Sequence, residues 1–327
     1  MAKKAARLML VTGGAGFIGS HIVEALVSRG DRVRVLDNFS TGKMGNLDGL
    51  GNGSLVPGSD FEVLYGDIRN YKDVEKAVSG VEGIFHEAAL GSVPRSIEDP
   101  ITTQNVNADG TLNVFTAARN GGVRRVVYAS SSAVYGDSET LPKREGGEGK
   151  PLSPYALTKK VNEEFGRLFW ELYRIENIGL RYFNVYGPRQ DPEGPYAAVI
   201  PRFVSALLAG HRPVIYGTGR QSRDFTFVGD VVNANLLAMD ASSDACGSAY
   251  NVGRGDRTTL LDLLGAIHEL LGGSIDPSFE EARPGDVKHS SADTSNARKA
   301  LKFTAGSDLR TGLGLSLEWY RANLKRE

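Results

Sequence analysis

The chain is poor in the residues that form disulfide frameworks and metal sites. Its 327 residues include one cysteine, Cys246, so no intrachain disulfide can form. A single cysteine fits a reducing compartment such as the cytoplasm. Five histidines are scattered without metal-ligand spacing: His21, His86, His211, His268 and His289. We therefore expect no disulfide and no bound metal.

The sequence also lacks a strong net charge and long apolar runs. Its formal net charge is −1, with lysine and arginine spread along the chain, so nothing favours nucleic acid or an anionic membrane surface as a partner. No stretch has the length and apolarity of a membrane span. The N-terminal run MAKKAARLMLVTGG starts basic but reaches glycines at once, which predicts a first strand rather than a signal peptide. The remaining composition, 41% hydrophobic and 24% charged, is typical of a soluble globular protein.

Short β-rich runs alternate with helical segments through the first half of the chain. The predicted strands are RLMLVT, RVRVLDN, FEVLYGD, GIFHEAA, RRVVYASSS and IGLRYFNVYG. Strand and helix at this spacing predict a parallel sheet covered on both faces. Right-handed crossovers then make a doubly wound, Rossmann-like α/β fold.

The pattern changes after Tyr186, where proline and glycine punctuate YGPRQDPEGPYAAVIPRF. We assign a first domain to residues 1–186, with a return segment near 225–252. Residues 187–327 then form a smaller, discontinuous C-terminal domain.

The stretch VTGGAGFIGSH spaces Gly13, Gly16 and Gly19 as GxxGxxG after an apolar strand and at the start of a helix. Glycines there let the backbone approach a pyrophosphate, and the helix N-terminus supplies free N–H groups. Asp37 ends the next strand about 20 residues further on, where a carboxylate binds the ribose hydroxyls of NAD and repels the extra phosphate of NADP. The sequence therefore predicts an NAD site, with Asp67 and Ile68 as candidates to frame the adenine.

The stretch SPYALTKK places Tyr155 and Lys159 on one face of a predicted helix. Oxidation of an alcohol requires a base for the hydroxyl proton, and a phenol with a pKa of about 10 is a poor base at neutral pH. A neighbouring ammonium and a positive nicotinamide ring both favour the phenolate. A serine hydroxyl can relay the same proton, and Ser131 is the predicted relay, with Ser132 as a substrate contact.

Taken together, these motifs resemble the extended short-chain dehydrogenase/reductase family, and within it the nucleotide-sugar 4-epimerases. The resemblance runs nearly end to end and rests on TGGAGFIGSH, LDNFSTG, GDI, HEAA, SSSAVYG, PYALTK, RYFNVYGPRQ, SRDFTFVGDVV and RPGD. It implies tightly held NAD, a UDP-sugar substrate, and inversion at C4 through a 4-keto sugar. Ser131, Tyr155 and Lys159 would form the catalytic set.

The resemblance also implies contacts for both ligands. Tyr155 and Lys159 would contact NAD, together with Gly13, Gly16, Phe17, Ile18, Gly19, Asp37, Asn38, Ser40, Gly42, Asp67, Ile68, Ala88, Ala89, Asn107 and Tyr182. Tyr155 and Ser131 would contact the UDP-sugar, together with Ser92, Arg95, Ser132, Asn184, Val199, Tyr216, Arg223, Arg283, Asp286 and Ser290. Relatives pair through two helices matching about 102–119 and 154–173, so a homodimer is expected.

Other reactions on this fold leave different residues beside the serine. Sugar 4,6-dehydratases in the family typically carry an Asp-Glu pair where Ser132 and Ala133 stand, and UDP-glucuronate decarboxylases usually carry glutamate at the position of Ala133. UDP-glucuronate 4-epimerase stays open, because its serine motif is similar. A non-enzymatic NAD-sensing protein is disfavoured, since both Tyr155 and Lys159 are present.

The late stretch RPGDVKHSSAD bears on the choice of sugar. Seven residues after Arg283, the family has a position that lines the sugar pocket near C2, and in this chain it is Ser290. Epimerases restricted to glucose and galactose carry tyrosine there, whereas those that accept N-acetyl sugars carry a small residue. We therefore expect UDP-GlcNAc and UDP-GalNAc as substrates, with UDP-Glc and UDP-Gal as further candidates.

Overall fold

The computed structural model describes residues 6–50, 61–193, 197–281 and 288–324. Within these ranges the strands are β1 Leu8–Thr12, β2 Arg32–Asp37, β3 Phe61–Tyr65, β4 Gly83–His86, β5 Arg125–Ser131, β6 Glu176–Tyr182, β7 Val185–Tyr186, β8 Val214–Tyr216, β9 Ser222–Arg223, β10 Thr226–Phe227, β11 Ser248–Val252, β12 Thr258–Thr259 and β13 Ser278–Glu280. The helices are α1 Phe17–Ser28, α2 Tyr71–Val78, α3 Val93–Glu98, α4 Pro100–Gln104, α5 Gly110–Asn120, α6 Pro154–Tyr173, α7 Val199–Leu208, α8 Val228–Asp240, α9 Leu260–Leu271, α10 Ser295–Leu301 and α11 Leu309–Asn323. In the described part of the chain, no helix has the length and apolarity to cross a membrane.

A parallel sheet of seven strands organises the described chain in the order β11-β6-β5-β4-β1-β2-β3. Every neighbouring pair in it runs parallel. The strand order reverses between β1 and β4, and ligands bind at such a point, outside the carboxyl ends of the strands. The predicted doubly wound α/β fold is confirmed.

Helices cover both faces of the sheet, and successive side chains along each strand point to opposite faces. Met9 and Val11 of β1 enter a core with helices α1 and α8, while Leu10 between them enters a second core with α2, α5 and α6. Apolar residues on successive positions of the strand are therefore all covered, which explains why the predicted strands are nearly continuous apolar runs.

The chain returns to the sheet after its first excursion. Helix α8 packs against α1, and β11 pairs with β6 from Ser248–Ile178 to Val252–Tyr182. A third core lies apart from the sheet and joins α7, α9 and α11 through Phe203, Leu263 and Leu313. The segments that form it are separated in sequence by the return segment. The domain boundaries given above remain a prediction.

Helix α6 begins where the sequence predicts, because Ser153 accepts the Ala156 N–H at 3.1 Å and Pro154 occupies the first turn. The helix ends at Arg174, whose φ of 55° is left-handed. The other predicted long helix, near 102–119, differs from the prediction. It is split into α4 and α5 by one π-helical turn, Asn105–Asp109.

Candidate active site

A cleft of about 720 Å³ opens at the carboxyl edge of the sheet. The loops after β1, β2, β4 and β5 form its wall on one side, and segments near Asn184, Arg223 and Ser290 close the other. The cleft therefore lies where the strand order reverses, between the sheet and the C-terminal segments.

The glycine loop forms the floor at one end. Gly13 has a φ of 68°, and a Cβ there would lie 2.7 Å from the backbone nitrogen of Ala88. A Cβ on Gly19 would lie 2.2 Å from the Gly13 carbonyl oxygen. Gly16 caps α1 without a side-chain acceptor, so the first N–H groups of the helix are left for a ligand.

Asp37 stands beside this loop at the end of β2. Its carboxylate accepts N–H groups of Ala15 at 2.9 Å and Phe39 at 2.7 Å, which fixes its position. Burial raises the pKa of Asp37, and these hydrogen bonds oppose the shift. Next to it, Asn38 donates to Asp67 at 2.8 Å. Arg69 is the main cause that lowers the pKa of Asp67 to about 2, so Asp67 is ionised.

The predicted catalytic residues converge at the other end of the cleft. Lys159 lies one helical turn after Tyr155, and its Nζ is 5.9 Å from the Tyr155 ring centre and donates to the Ala129 carbonyl at 2.8 Å. Burial raises the pKa of Tyr155, whereas an interaction with the Ser131 hydroxyl lowers it. Burial also lowers the pKa of Lys159 to about 8, against the effect of Glu87 and Glu163.

A largely buried ion pair stabilises the end of the cleft that holds Tyr155 and Lys159. Glu163 lies one turn after Lys159 on α6, accepts the Ser130 hydroxyl at 2.5 Å, and receives both Nε and Nη2 of Arg181 at 2.8 Å. Arg181 also donates to Tyr135 at 2.9 Å and to Glu148. The pair therefore holds α6 against β5 and β6 behind the Tyr155–Lys159 face. Sequence reasoning missed it, although the spacing of four residues from Lys159 placed Glu163 on the same helix face.

A chain of buried hydrogen bonds ties the glycine-loop end to the helices. Thr111 donates its hydroxyl to the Asn107 carbonyl at 2.6 Å, so His86 Nε2, 2.9 Å from the same hydroxyl, must donate to it. The His86 Nδ1 atom then accepts the Thr12 hydroxyl at 2.7 Å. Burial lowers the pKa of His86 to about 3, so the ring is neutral and one tautomer satisfies every group.

Asn107 explains the π-helical turn. Its side-chain amide binds both backbone groups of Leu90, accepting at 2.8 Å and donating at 3.2 Å, and reaches Thr158 at 3.3 Å. These contacts hold the loop after β4 to α6. Asn107 therefore positions the wall of the cleft, and it is not among the described residues that line it.

Glu87, in the HEAA stretch, is a further residue that sequence reasoning missed. It follows β4, lines the cleft, and accepts the Tyr182 hydroxyl at 2.8 Å. Burial raises the pKa of Glu87 to about 7, and Lys159 opposes the shift. The motif was recognised in the sequence, but its glutamate was given no role.

Ser290 also lines the cleft, and backbone hydrogen bonds of Ser290 and of the residues after it fix its position. Its N–H donates to the Ser222 carbonyl at 3.0 Å. The next residues bracket Lys143, whose N–H donates to Ser291 and whose carbonyl accepts from Asp293, at 2.7 and 2.8 Å. Lys143 also lines the cleft, and the sequence had not singled it out.

Most of the predicted site residues meet in this cleft, whereas some lie behind it. The lining includes Gly13, Gly16, Phe17, Ile18, Gly19, Asp37, Asn38, Ser40, Asp67, Ile68, Ala88, Ala89, Ser131, Ser132, Tyr155, Lys159, Tyr182, Asn184, Arg223 and Ser290. Gly42, Ser92, Arg95, Asn107, Val199 and Tyr216 are not among the described lining residues. Arg283 and Asp286 lie outside the described residues.

The residues behind the lining have visible roles. Gly42 packs against the glycine loop, because a Cβ there would lie 2.9 Å from the Ala15 carbonyl carbon. Ser92 caps α3 by accepting the Arg95 N–H at 3.2 Å. Tyr216 lies under the Arg202 guanidinium, 5.4 Å from the ring centre. Their predicted ligand contacts stay predictions.

The cleft fits NAD on its own geometry. A loop that excludes Cβ atoms meets a helix N-terminus without a side-chain cap, as a pyrophosphate requires. Asp37 lies at the end of the adjacent strand, where its carboxylate suits two ribose hydroxyls and disfavours a phosphate.

Comparison with known proteins agrees with this geometry. Residues 9–253 match the model of the NAD dependent epimerase/dehydratase family. The chain is 38% identical to a UDP-glucose 4-epimerase of Mycolicibacterium smegmatis, over 95% of this chain and 98% of that protein. It is 35% identical to a UDP-N-acetyl-alpha-D-glucosaminuronate decarboxylase of Bacillus cytotoxicus, over 95% of this chain and 97% of that one.

Among solved structures, the UDP-N-acetylglucosamine 4-epimerase of Methanobrevibacter ruminantium, in complex with UDP-N-acetylmuramic acid, superposes with a TM-score of 0.92. The two share 39% identity over 98% of this chain and 100% of that one. With a family model that spans most of the chain and relatives aligned nearly end to end, this protein belongs to the NAD dependent epimerase/dehydratase family.

Proposed function

We propose that this protein is a UDP-sugar 4-epimerase whose preferred substrates are UDP-GlcNAc and UDP-GalNAc. The observation that carries the choice of sugar is Ser290, a small residue that lines the same cleft as the predicted base. Family membership, the NAD-shaped cleft and the Ser131–Tyr155–Lys159 group support the reaction class.

The chain's own residues divide the work. The chemistry that bound NAD supplies is the reversible removal of a hydride from C4 of the sugar. Tyr155 accepts the proton of the 4-hydroxyl and returns it after the 4-keto sugar has rotated in the cleft. Ser131 orients the same proton, and Lys159 supplies the positive charge that favours the phenolate. Rotation of a 4-keto sugar within the cleft lets the opposite face be reduced, so that C4 is inverted.

The sugar and nucleotide are proposed to lie along the C-terminal wall. Arg223 lines the cleft there and suits a diphosphate, because a guanidinium makes charge-assisted hydrogen bonds to phosphate oxygens. Asn184 lies on the same wall, and its side-chain amide donates a hydrogen bond to the Asp224 carbonyl at 3.3 Å. We retain Val199 and Tyr216 as uracil contacts, and Arg283 and Asp286 as contacts for the diphosphate and the ribose.

Ser290 leaves space beside the sugar. Its neighbours hold the backbone by hydrogen bonds on both sides, so a larger side chain at this position would project into the cleft rather than move aside. An acetamido group at C2 needs that space, whereas a hydroxyl does not. The preference for acetylated sugars follows from this difference in size.

Other reactions are less well supported by the same residues. Ser132 and Ala133 bring no carboxylate to the position next to Ser131, as elimination or decarboxylation in this family would require. The choice rests on these residues rather than on identity, because the decarboxylase is 35% identical and the UDP-glucose 4-epimerase 38% identical to this chain. UDP-glucuronate 4-epimerase is the second candidate.

We further propose a homodimer. Ile97, Ile101, Leu157 and Leu172 are more than half exposed, and Leu168 is 37% exposed, on α3, α4 and α6. Phe165 and Phe169 of the same helix instead pack into the core. An apolar face of this kind on three neighbouring helices suits a second copy of the chain. Sedimentation of the purified chain tests this state.

The direct test of function is an epimerisation assay on the full chain. UDP-GlcNAc, UDP-GalNAc, UDP-Glc, UDP-Gal and UDP-glucuronate are incubated side by side, and the products are separated by chromatography. We expect the acetylated pair to interconvert fastest. Clean inversion of UDP-glucuronate without turnover of neutral sugars would overturn the choice of substrate, and release of carbon dioxide would overturn the reaction class.

A further inference from the structure

Glu87 brings a carboxylate into the cleft that the proposed reaction does not use. It is half-buried, follows β4 directly and lines the cleft. Its Oε1 atom accepts the Tyr182 hydroxyl at 2.8 Å, and Tyr182 in turn accepts from Asn235 at 2.8 Å. Burial raises the pKa of this carboxyl group to about 7, so a positive charge brought beside it favours the ionised form.

Its neighbours place Glu87 between the two ends of the cofactor site. On one side its backbone touches the glycine loop, because a Cβ on Gly13 would lie 3.0 Å from the Glu87 carbonyl carbon. On the other side its carboxylate contacts Tyr182, which lines the cleft together with Tyr155 and Lys159. A dinucleotide with its pyrophosphate on the loop and its reactive ring beside Tyr155 would therefore lie in the cleft that Glu87 lines.

Of the four titratable groups around Glu87, one is a cation, so a second positive charge can still be stabilised there. Lys159 on α6 is a cation, Tyr182 on β6 and Tyr155 on α6 are phenols, and His86 on β4 is neutral. The oxidised nicotinamide ring carries a positive charge, and the reduced ring does not. A carboxylate that lines the same cleft therefore stabilises the oxidised ring selectively, by Coulomb attraction in a site of low effective dielectric constant.

We propose that Glu87 is a counter-charge for the oxidised nicotinamide and biases the bound cofactor toward the oxidised form. Within one catalytic cycle, an epimerase must return to C4 the hydride that it removed. A site that held the reduced cofactor too well would release the keto sugar and stall. Glu87 stabilises the oxidised form relative to the reduced one and so favours return of the hydride to the sugar. The inference rests on the proposed function only in that the cleft binds NAD.

The test compares how the full chain partitions NAD⁺ and NADH in the absence of any sugar. Protein is equilibrated with an equimolar mixture from both starting directions, and the bound nucleotides are released and quantified by chromatography. Glu87→Gln keeps an acceptor for Tyr182 but removes the charge. We expect the bound ratio of NADH to NAD⁺ to rise about tenfold, equivalent to a shift of about 30 mV for this two-electron couple.

Two variants separate charge from structure. Glu87→Asp keeps the charge, so its ratio should stay within about threefold of the wild type, whereas a purely structural role predicts a change as large as that of Glu87→Gln. Glu75→Gln on α2 removes an exposed carboxylate remote from the cleft and should leave the ratio unchanged. If Glu87→Gln binds both nucleotides with the wild-type ratio, or if Glu87→Asp and Glu87→Gln change it equally, the proposal is wrong.

The outcome is independent of the substrate. A wild-type chain that fails to epimerise any UDP-sugar refutes the proposed function but leaves the nucleotide ratio measurable. A chain that epimerises UDP-GlcNAc while Glu87→Gln keeps the wild-type ratio refutes the counter-charge alone.

Discussion

The ammonium nitrogen of Lys159 lies 5.9 Å from the centre of the Tyr155 ring. A hydrogen bond of 2.8 Å to the Ala129 carbonyl holds it there, so the two side chains share the end of the cleft in a fixed arrangement. A cation at this distance stabilises a phenolate more than a phenol, and this is the property that a tyrosine base requires.

Replacing Tyr155 by phenylalanine removes the base and keeps the ring. We expect turnover of any UDP-sugar to fall by about 10²- to 10⁴-fold, the usual contribution of a positioned base, with bound NAD retained. Tyr173→Phe, at the exposed end of the same helix, is the matched control and should keep wild-type turnover. Full activity of Tyr155→Phe would refute the assigned base.

Two helical glycines offer a paired test of the cofactor cradle. A Cβ on Gly19 would lie 2.2 Å from a backbone oxygen, whereas one on Gly265 of α9 would meet nothing within 4 Å. Gly19→Ala should therefore abolish NAD binding by displacing the loop. Gly265→Ala should bind NAD normally and stabilise the fold by about 0.5–1 kcal/mol, since alanine favours helix. Calorimetric titration with NAD and thermal melting measure both effects, and normal NAD binding by Gly19→Ala would contradict the cradle.

Removing the Arg181 side chain should be far more damaging than removing an exposed arginine. Arg181 is 7% exposed and pairs with Glu163 and Glu148, whose side chains are 13% and 20% exposed. Arg181→Leu therefore leaves these two carboxylates without their arginine and should cost about 3–5 kcal/mol in the free energy of unfolding. Arg167→Leu breaks exposed pairs on the same helix α6 and should cost less than about 1 kcal/mol. Urea denaturation provides the comparison. Equal losses for the two variants would show that the buried pair does not hold α6.

The raised pKa of Glu87 predicts how stability depends on pH. Since its pKa moves from 4.5 in the unfolded chain to about 7 in the folded one, the folded state retains a proton that the unfolded state has released between these values. The contribution of Glu87 to stability is therefore fully present below pH 4.5 and is lost as the pH rises through about 7.

The glutamine of Glu87→Gln does not titrate. Between pH 4.5 and 7, the melting temperature of the nucleotide-free wild type should therefore fall relative to that of the variant. Because the carboxylate also meets solvent, we discount the full shift to about 1 kcal/mol, or about 2 °C. A difference that stays constant from pH 4.5 to 7 would contradict the raised pKa.

The sequence was sufficient to predict six of the seven strands of the sheet, all but β11, because its signals are local. The apolar runs of β1, β2, β4, β5 and β6 are contiguous in the sequence, and each strand formed where its run lies. The π-helical turn at Asn105–Asp109 was not predictable in this way. It depends on the Asn107 amide binding Leu90, a contact between segments that only the folded chain brings together.

The site was predictable where a motif carries a backbone constraint. The glycine loop, Asp37, Tyr155 and Lys159 meet in one cleft because strand ends and one helix face fix them. Glu87 was not predicted, since its significance lies in the charges around it rather than in its spacing. Ser92 and Tyr216 were placed by resemblance, and in this chain one caps a helix and the other packs under Arg202.

The most direct measurement of the central claim is the substrate preference of Ser290→Tyr, with Ser290→Ala as the control of unchanged space. A phenol ring at this position fills the room beside C2, so we expect Ser290→Tyr to lose epimerisation of UDP-GlcNAc and UDP-GalNAc by at least about 100-fold while it still converts UDP-Gal. Ser290→Ala should keep the wild-type preference. If Ser290→Tyr turns over the acetylated sugars at the wild-type rate, Ser290 does not select the substrate and the proposed preference has lost its basis.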